Sequence, residues 1–132
     1  MGVDQLPHPD VTGRVIEAAY EVHNEMGFGF LESVYENCLM LAIRERRIAV
    51  ENQVPVDVHY HGSQVGHFVA DLLVADTVLV ELKSVRNLVE SHEVQLVNYL
   101  VATNKPVGLL LNFGPNGVEV KRKVPKLPPK TT

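Results

Sequence analysis

The chain has 132 residues, 45% of them apolar and 21% charged, with a net charge of −4; this defines one globular domain and excludes a chain too polar to fold. No apolar run nears the ~20 residues of a membrane-spanning helix, and the amino terminus lacks a secretory pattern. The one cysteine, Cys38, excludes an intrachain disulfide and points to a reducing, cytoplasmic setting.

The charge is unevenly spread. Residues 1–120 hold 7 basic and 16 acidic side chains, a charge of −9, whereas Lys121, Arg122, Lys123, Lys126 and Lys130 give the last twelve residues +5. An acidic body argues against tight, sequence-blind binding of nucleic acid and leaves room for a local groove. Gly2 is no myristoylation signal, because Leu6 stands where Ser or Thr is required.

Residues 1–9, with Pro7 and Pro9, read as an irregular lead-in, residues 10–124 as the folded domain, and residues 125–132 as a Pro/Lys-rich flexible tail. Asp10 is placed to cap a helix running to Met26, with Val15, Ala19, Val22 and Met26 at helical spacing. Gly27 and Gly29 end it. A second helix is predicted from Phe30 to Arg46, with Leu31, Tyr35, Cys38 and Ala42 as one apolar stripe, widened by Val34 and Leu39. From Gln53 the period falls to two, and Val54, Val56 and Val58 mark a strand. His61-Gly62-Ser63 turns into a partner strand over 65–74, and Asp76-Thr77 reverses into a strand over 78–84. A helix over 89–102 leads to the apolar strand 107–113, which suggests burial on both faces. Gly114-Pro115-Asn116-Gly117 turns into a last strand, 118–124. The order is α-α-β-β-β-α-β-β, an α/β (α+β) chain with a mixed sheet flanked by helices; the helix between strands 78–84 and 107–113 makes those two parallel.

The segment Asp71 to Lys83 carries the chemistry. On the strand Val78–Ser84, Val78, Val80 and Leu82 face one way, while Leu79, Glu81 and Lys83 face the other. An acid and an ammonium thus share a face in a stretch apolar enough for a sheet interior. Burying such charges costs several kcal/mol per ion, by general desolvation arguments, unless they are paired or bind a metal. A structural ion pair at a sheet edge accounts for the same residues equally well. Further along, Glu32 and Tyr35 lie on one helix face, where the phenol could orient the carboxylate, and Gln95 and Tyr99 share another, with His92 one turn before. Each of these also has a plain reading: a solvated first-turn acid, a core tyrosine, a self-satisfied amide pair, a surface histidine. His59 and His61 have metal-like spacing but flank a turn and lack a third ligand.

Five segments together resemble the small bacterial GxxExxY proteins, a branch of the PD-(D/E)XK nuclease superfamily: Gly29-Phe30-Leu31-Glu32-Ser33-Val34-Tyr35, Ala70-Asp71-Leu72-Leu73-Val74, Glu81-Leu82-Lys83-Ser84-Val85, Gln95-Leu96-Val97-Asn98-Tyr99-Leu100 and Gly108-Leu109-Leu110-Leu111-Asn112-Phe113-Gly114. The resemblance implies an acidic helix, three antiparallel strands, a crossover helix and a further strand. It implies metal-binding acids at Asp71 and Glu81, a catalytic lysine at Lys83 and a helix-borne acid at Glu32. Gln95 and Tyr99 match the Gln-x-x-x-Tyr signature of the RecB-like branch, beside the site. The first motif, Ala70-Asp71, lacks the superfamily's proline.

The implied cofactor is Mg²⁺, with Mn²⁺ as a substitute, held by carboxylates and by the backbone carbonyl of Leu82. The implied activity is phosphodiester hydrolysis, with DNA as the partner and no membrane. The alternative is a non-catalytic oligomeric assembly or binding module that retains the nuclease fold; hydrolysis of a small phosphate ester is a third reading. Exposed apolar helix faces in a small domain make a homo-oligomer reasonable.

Overall fold

The computed structural model describes residues 9–125; the first eight residues, Gly2 among them, and the tail from residue 126 lie outside the described residues. The elements are α1 (Pro9–Met26), α2 (Glu32–Glu45), β1 (Val50–Tyr60), β2 (Ser63–Val74), β3 (Val78–Lys83), α3 (Glu90–Thr103), β4 (Val107–Gly114) and β5 (Gly117–Lys123). The order is the one read from the periodicities. The five strands form one sheet in sequence order, antiparallel throughout except for the parallel pair β3–β4, which α3 connects.

The sheet separates two cores. Val15, Ala18, Ala19 and Val22 of α1 and Tyr35, Leu39, Ala42 and Ile43 of α2 pack with Leu72, Val78, Val80, Leu82, Leu109 and Leu111. Leu96, Tyr99 and Leu100 of α3 cover Leu73, Leu79 and Leu110 on the other side. The strand alternation expected for β3 is therefore observed, and β4 is buried along its whole length. The helix α3 lies close over β4 because Gly108 has no side chain; a Cβ there would sit 2.8 Å from Leu96 Cδ1.

Two local expectations shift. The first helix already begins at Pro9, which suits a first-turn position, so Asp10 sits inside the first turn rather than capping it. Leu31 precedes α2 and is 77% exposed, so the buried stripe runs through Tyr35, Glu36, Leu39, Met40, Ala42 and Ile43 instead. The chain leaves α1 through Gly27 (φ 73°) and Gly29 (φ 117°), conformations that favour glycine.

The strand β2 is longer than its contact with β3. Only Leu72, Leu73 and Val74 pair with Val80, Leu79 and Val78, so most of β2 continues with β1 as a two-stranded arm. The sheet forks at Asp71.

Candidate active site

Asp71 and Glu81 are the next residues in register after Leu72 and Val80, where the ladder stops. Their side chains replace the missing rung. The Asp71 N–H donates to Glu81 Oε1 at 3.0 Å, and the Leu82 N–H donates to Asp71 Oδ2 at 2.7 Å. The second oxygen of each carboxylate receives no hydrogen bond from any described residue.

A kink in the arm aims Asp71. Val50 packs in the core under α1 and α2, whereas Val54 and Val56 pack under α3, although all three are even-numbered. Ala70 and Leu72 likewise fall in different cores. Both strands therefore change sides at Gln53 and Asp71, the two positions between paired Asn52–Leu72 and Val54–Ala70 that do not pair. Gln53 adopts a left-handed φ of 52° there. Such an irregularity re-aims a side chain out of the regular pleat.

The electrostatics are unbalanced. Burial is the main cause that raises the Asp71 carboxyl to about 6, and the charges of Glu36 and Glu32 raise it further, against the Leu82 N–H and Lys83. Burial, followed by the neighbouring Asp71 charge, raises Glu81 to about 8, with the Asp71 N–H and Lys83 opposing. Two like charges that are partly removed from water disfavour joint ionisation. The side chain of Lys83, the last residue of β3 and only partly buried, forms neither a hydrogen bond nor an ion pair with any described residue, so the acids are not closed into a salt bridge.

The other residues singled out from the sequence fall into three groups. Tyr99 faces the acids: burial raises its phenol, followed by the charges of Glu81 and Asp71, and Gln95 Nε2 donates to its hydroxyl at 3.0 Å. Glu32 is exposed in the first turn of α2, within electrostatic reach of both acids. Tyr35 and His92 make their hydrogen bonds elsewhere. The Tyr35 hydroxyl donates to Gly27 O and accepts from Phe30 N at 3.3 Å, and its ring stacks on Phe113 at 4.4 Å. It therefore fastens the glycine loop and does not orient Glu32. His92 Nδ1 accepts the Val89 N–H at 3.3 Å, ordering the first turn of α3. His59 is exposed on β1, and His61 occupies the hairpin turn, its ring stacked on Tyr60.

Sequence reasoning passed over Glu36, a 9% exposed acid that acts on Asp71 more strongly than Glu32 does. Its signal was its spacing, four residues after Glu32 on the same helical face. Asn112 lies inside the Gly108–Gly114 segment, where its spacing carries no signal of a role. It is fully buried and holds the loop after Lys83: its Oδ1 accepts the Val85 N–H, and its Nδ2 donates to Val85 O and Glu119 Oε1.

The donor set suits a hard divalent cation. Two adjacent carboxylates, each with an oxygen that no described residue uses, match Mg²⁺, which is commonly held by one or two carboxylates and several waters. Among the described residues no three His, Cys, Asp or Glu side chains form a ready-made metal group, so Asp71 and Glu81 are the protein part of the fit.

The fold and the paired acids define a nuclease-like scaffold. A family model described as PD-(D/E)XK nuclease superfamily matches residues 9–123, and the chain belongs to that superfamily. Among solved structures, the crystal structure of SSO0001 is similar, with a TM-score of 0.59 and 17% identity over 73% of this chain and 50% of that one. The chain thus spans half the length of that structure, and the likeness is one of fold. No curated protein matches it. No helix of the described residues is long and apolar enough to cross a membrane.

Proposed function

We propose that the chain is a divalent-metal-dependent nuclease of the GxxExxY branch that hydrolyses phosphodiester bonds in DNA. The observation that carries this reading is the fork itself: Asp71 and Glu81 side by side with oxygens to spare, and the unpaired Lys83 two residues beyond Glu81 on the same strand. A closed ion pair would have favoured a structural role. The branch assignment is supported by Gly29, Glu32 and Tyr35 at three-residue spacing and by Gln95 and Tyr99 four apart.

Asp71 and Glu81 would hold the ion, with Glu32 and the Leu82 carbonyl as further oxygen donors. A bound Mg²⁺ would supply Lewis-acid stabilisation of phosphoryl charge and acidify water. The chain's own residues do the rest. Lys83 orients the attacking water or offsets the negative charge that builds on the phosphoryl oxygens. Water oxygen bonds to phosphorus and gives up a proton as the bond to the leaving deoxyribose oxygen breaks, and that oxygen takes up a proton. The Gln95–Tyr99 pair borders the acids and places a phenol and an amide beside the substrate.

The test is cleavage of labelled single- and double-stranded DNA and RNA with Mg²⁺ or Mn²⁺, wild type beside Lys83→Ala. DNA cleavage that disappears with chelator and falls at least about a hundredfold in the variant is expected, the size of losing one charge-stabilising group. Cleavage unchanged by Lys83→Ala overturns the assignment. No cleavage of any substrate favours the non-catalytic module.

A further inference from the structure

The kink that aims Asp71 has a buried acid beside it. Asn52 and Gln53 are consecutive, and on a regular strand their side chains leave opposite faces. Here both amides reach one carboxylate. Asn52 Nδ2 donates to Glu36 Oε2 at 3.4 Å, and Gln53 Nε2 lies 3.1 Å from Glu36 Oε1 and 3.3 Å from Oε2. This convergence needs the left-handed backbone of Gln53, which is uncommon and strained for a residue with a long side chain. Glu36 is 9% exposed, and a buried carboxylate keeps its charge only when hydrogen bonds replace water. The amides thus meet the acid at the position where the strand kinks.

We propose that Glu36 and Gln53 are positioning residues, a clamp that holds the arm kinked so that Asp71 leaves the β1–β2 ladder and points at the Leu82 N–H and the cation position. Glu36 acts through Asp71: its two oxygens accept the Asn52 and Gln53 amides at the kink. Glu32, one turn earlier and exposed, has no such partners among the described residues. The clamp rests on the metal-dependent reading for one of its two readouts only.

The experiment uses Gln53→Gly in the full chain. Glycine takes either sign of φ with similar ease, so the variant loses the amide without straining the fold and leaves nothing at this position to hold the kink. The metal-free readout is hydrogen exchange of the Leu82 amide, which reports its bond to Asp71. The second readout is Mn²⁺ affinity. Exchange at Leu82 is expected to speed up markedly, and the Mn²⁺ Kd to rise about tenfold to a hundredfold, the range for residues that support a metal ligand, with the melting temperature not lowered. Gln53→Asn, whose shorter amide tolerates the same backbone but falls short of Glu36, should repeat this and guards against an effect peculiar to glycine. Glu36→Gln keeps an oxygen for Gln53 and should retain both Leu82 protection and Mn²⁺ affinity.

Unchanged Leu82 exchange in Gln53→Gly overturns the clamp. Weak Mn²⁺ binding in Glu36→Gln with Leu82 still protected also overturns it, and makes Glu36 a ligand. Were the wild type to take up no Mn²⁺, the nuclease reading would fail while Leu82 exchange still decided the clamp.

Discussion

The strand β3 is flanked by two forks, and in each a side chain stands in for a missing backbone rung. At the fork with β2 the substitutes are carboxylates, Asp71 on the Leu82 N–H and Glu81 on the Asp71 N–H. At the fork with β4, where pairing ends at Lys83 and Asn112, the substitute is an amide. Asn112 accepts the Val85 N–H at 2.9 Å and donates to Val85 O at 2.8 Å, as a strand residue would. An amide offers both a donor and an acceptor without charge; a carboxylate only accepts. The second fork is therefore satisfied within the fold, whereas the first leaves two like charges partly buried and raised to about 6 and about 8. The geometric task is the same, but only the first fork meets it with charged groups. Lys83 lies between them: one fork supplies the acids beside it, and the other fixes the chain as it leaves.

The largest effect on stability should come from breaking the satisfied fork. Asn112→Ala empties a fully buried position and removes both partners of the Val85 backbone, while the exposed Glu119 loses a donor that water can replace. Each buried group left unpaired costs about 1–3 kcal/mol, so a loss of roughly 2–4 kcal/mol is expected in chemical denaturation. A loss below about 1 kcal/mol would show that water replaces the amide and that the two forks are less different than their bonds suggest.

The opposite sign is expected at the charged fork. Glu81→Gln keeps an oxygen to accept the Asp71 N–H and removes one of the two like charges. In both acids the folded carboxyl binds its proton more tightly than in the unfolded chain, where it titrates near the ordinary value. The metal-free protein should therefore lose stability as pH rises from that ordinary range to about 8. The variant lacks part of this loss. At about pH 8 it should be more stable than wild type by on the order of 1–2 kcal/mol, and near pH 4, with both carboxyls protonated, it should have no such advantage. Mg²⁺ added at the higher pH should raise the melting temperature of the wild type and leave the variant where it is. A variant less stable than wild type at both pH values would mean that the carboxylates are already compensated within the protein.

The fold was largely legible because period and burial agree. The change to a period of two, read at Gln53, falls within β1, which begins at Val50, and the apolar run of β4 is buried as read. The alternation in β3 also placed Glu81 and Lys83 on a face apart from Val80 and Leu82. What could not be read was the kink. A period of two predicts one face for Val50, Val54 and Val56, but they divide at the left-handed Gln53, where Asn52 and Gln53 meet Glu36 from another element. Asn112 was illegible for a similar reason: its partner, Val85, lies 27 residues away, beyond a whole helix. Tyr35 shows the limit of spacing. Three residues after Glu32 it shares a helix side, but the glycine loop passes close by and takes its hydroxyl.

That tyrosine gives the smallest effect and a control on the comparison. Tyr35→Phe keeps the ring stacked on Phe113 and loses the bonds to Gly27 and Phe30. A typical net hydrogen bond contributes about 1 kcal/mol, and a loss of that size is expected in denaturation. Mg²⁺ affinity and any cleavage should stay at wild-type level, because the hydroxyl touches neither acid. Tyr99→Phe differs, since its phenol carries Gln95 and lies beside Glu81 and Asp71. If the Tyr35 variant weakened metal binding as much as the Tyr99 variant, the glycine loop would belong to the site. The charged fork would then reach through Gly27 and Phe30, the loop that the Tyr35 hydroxyl fastens.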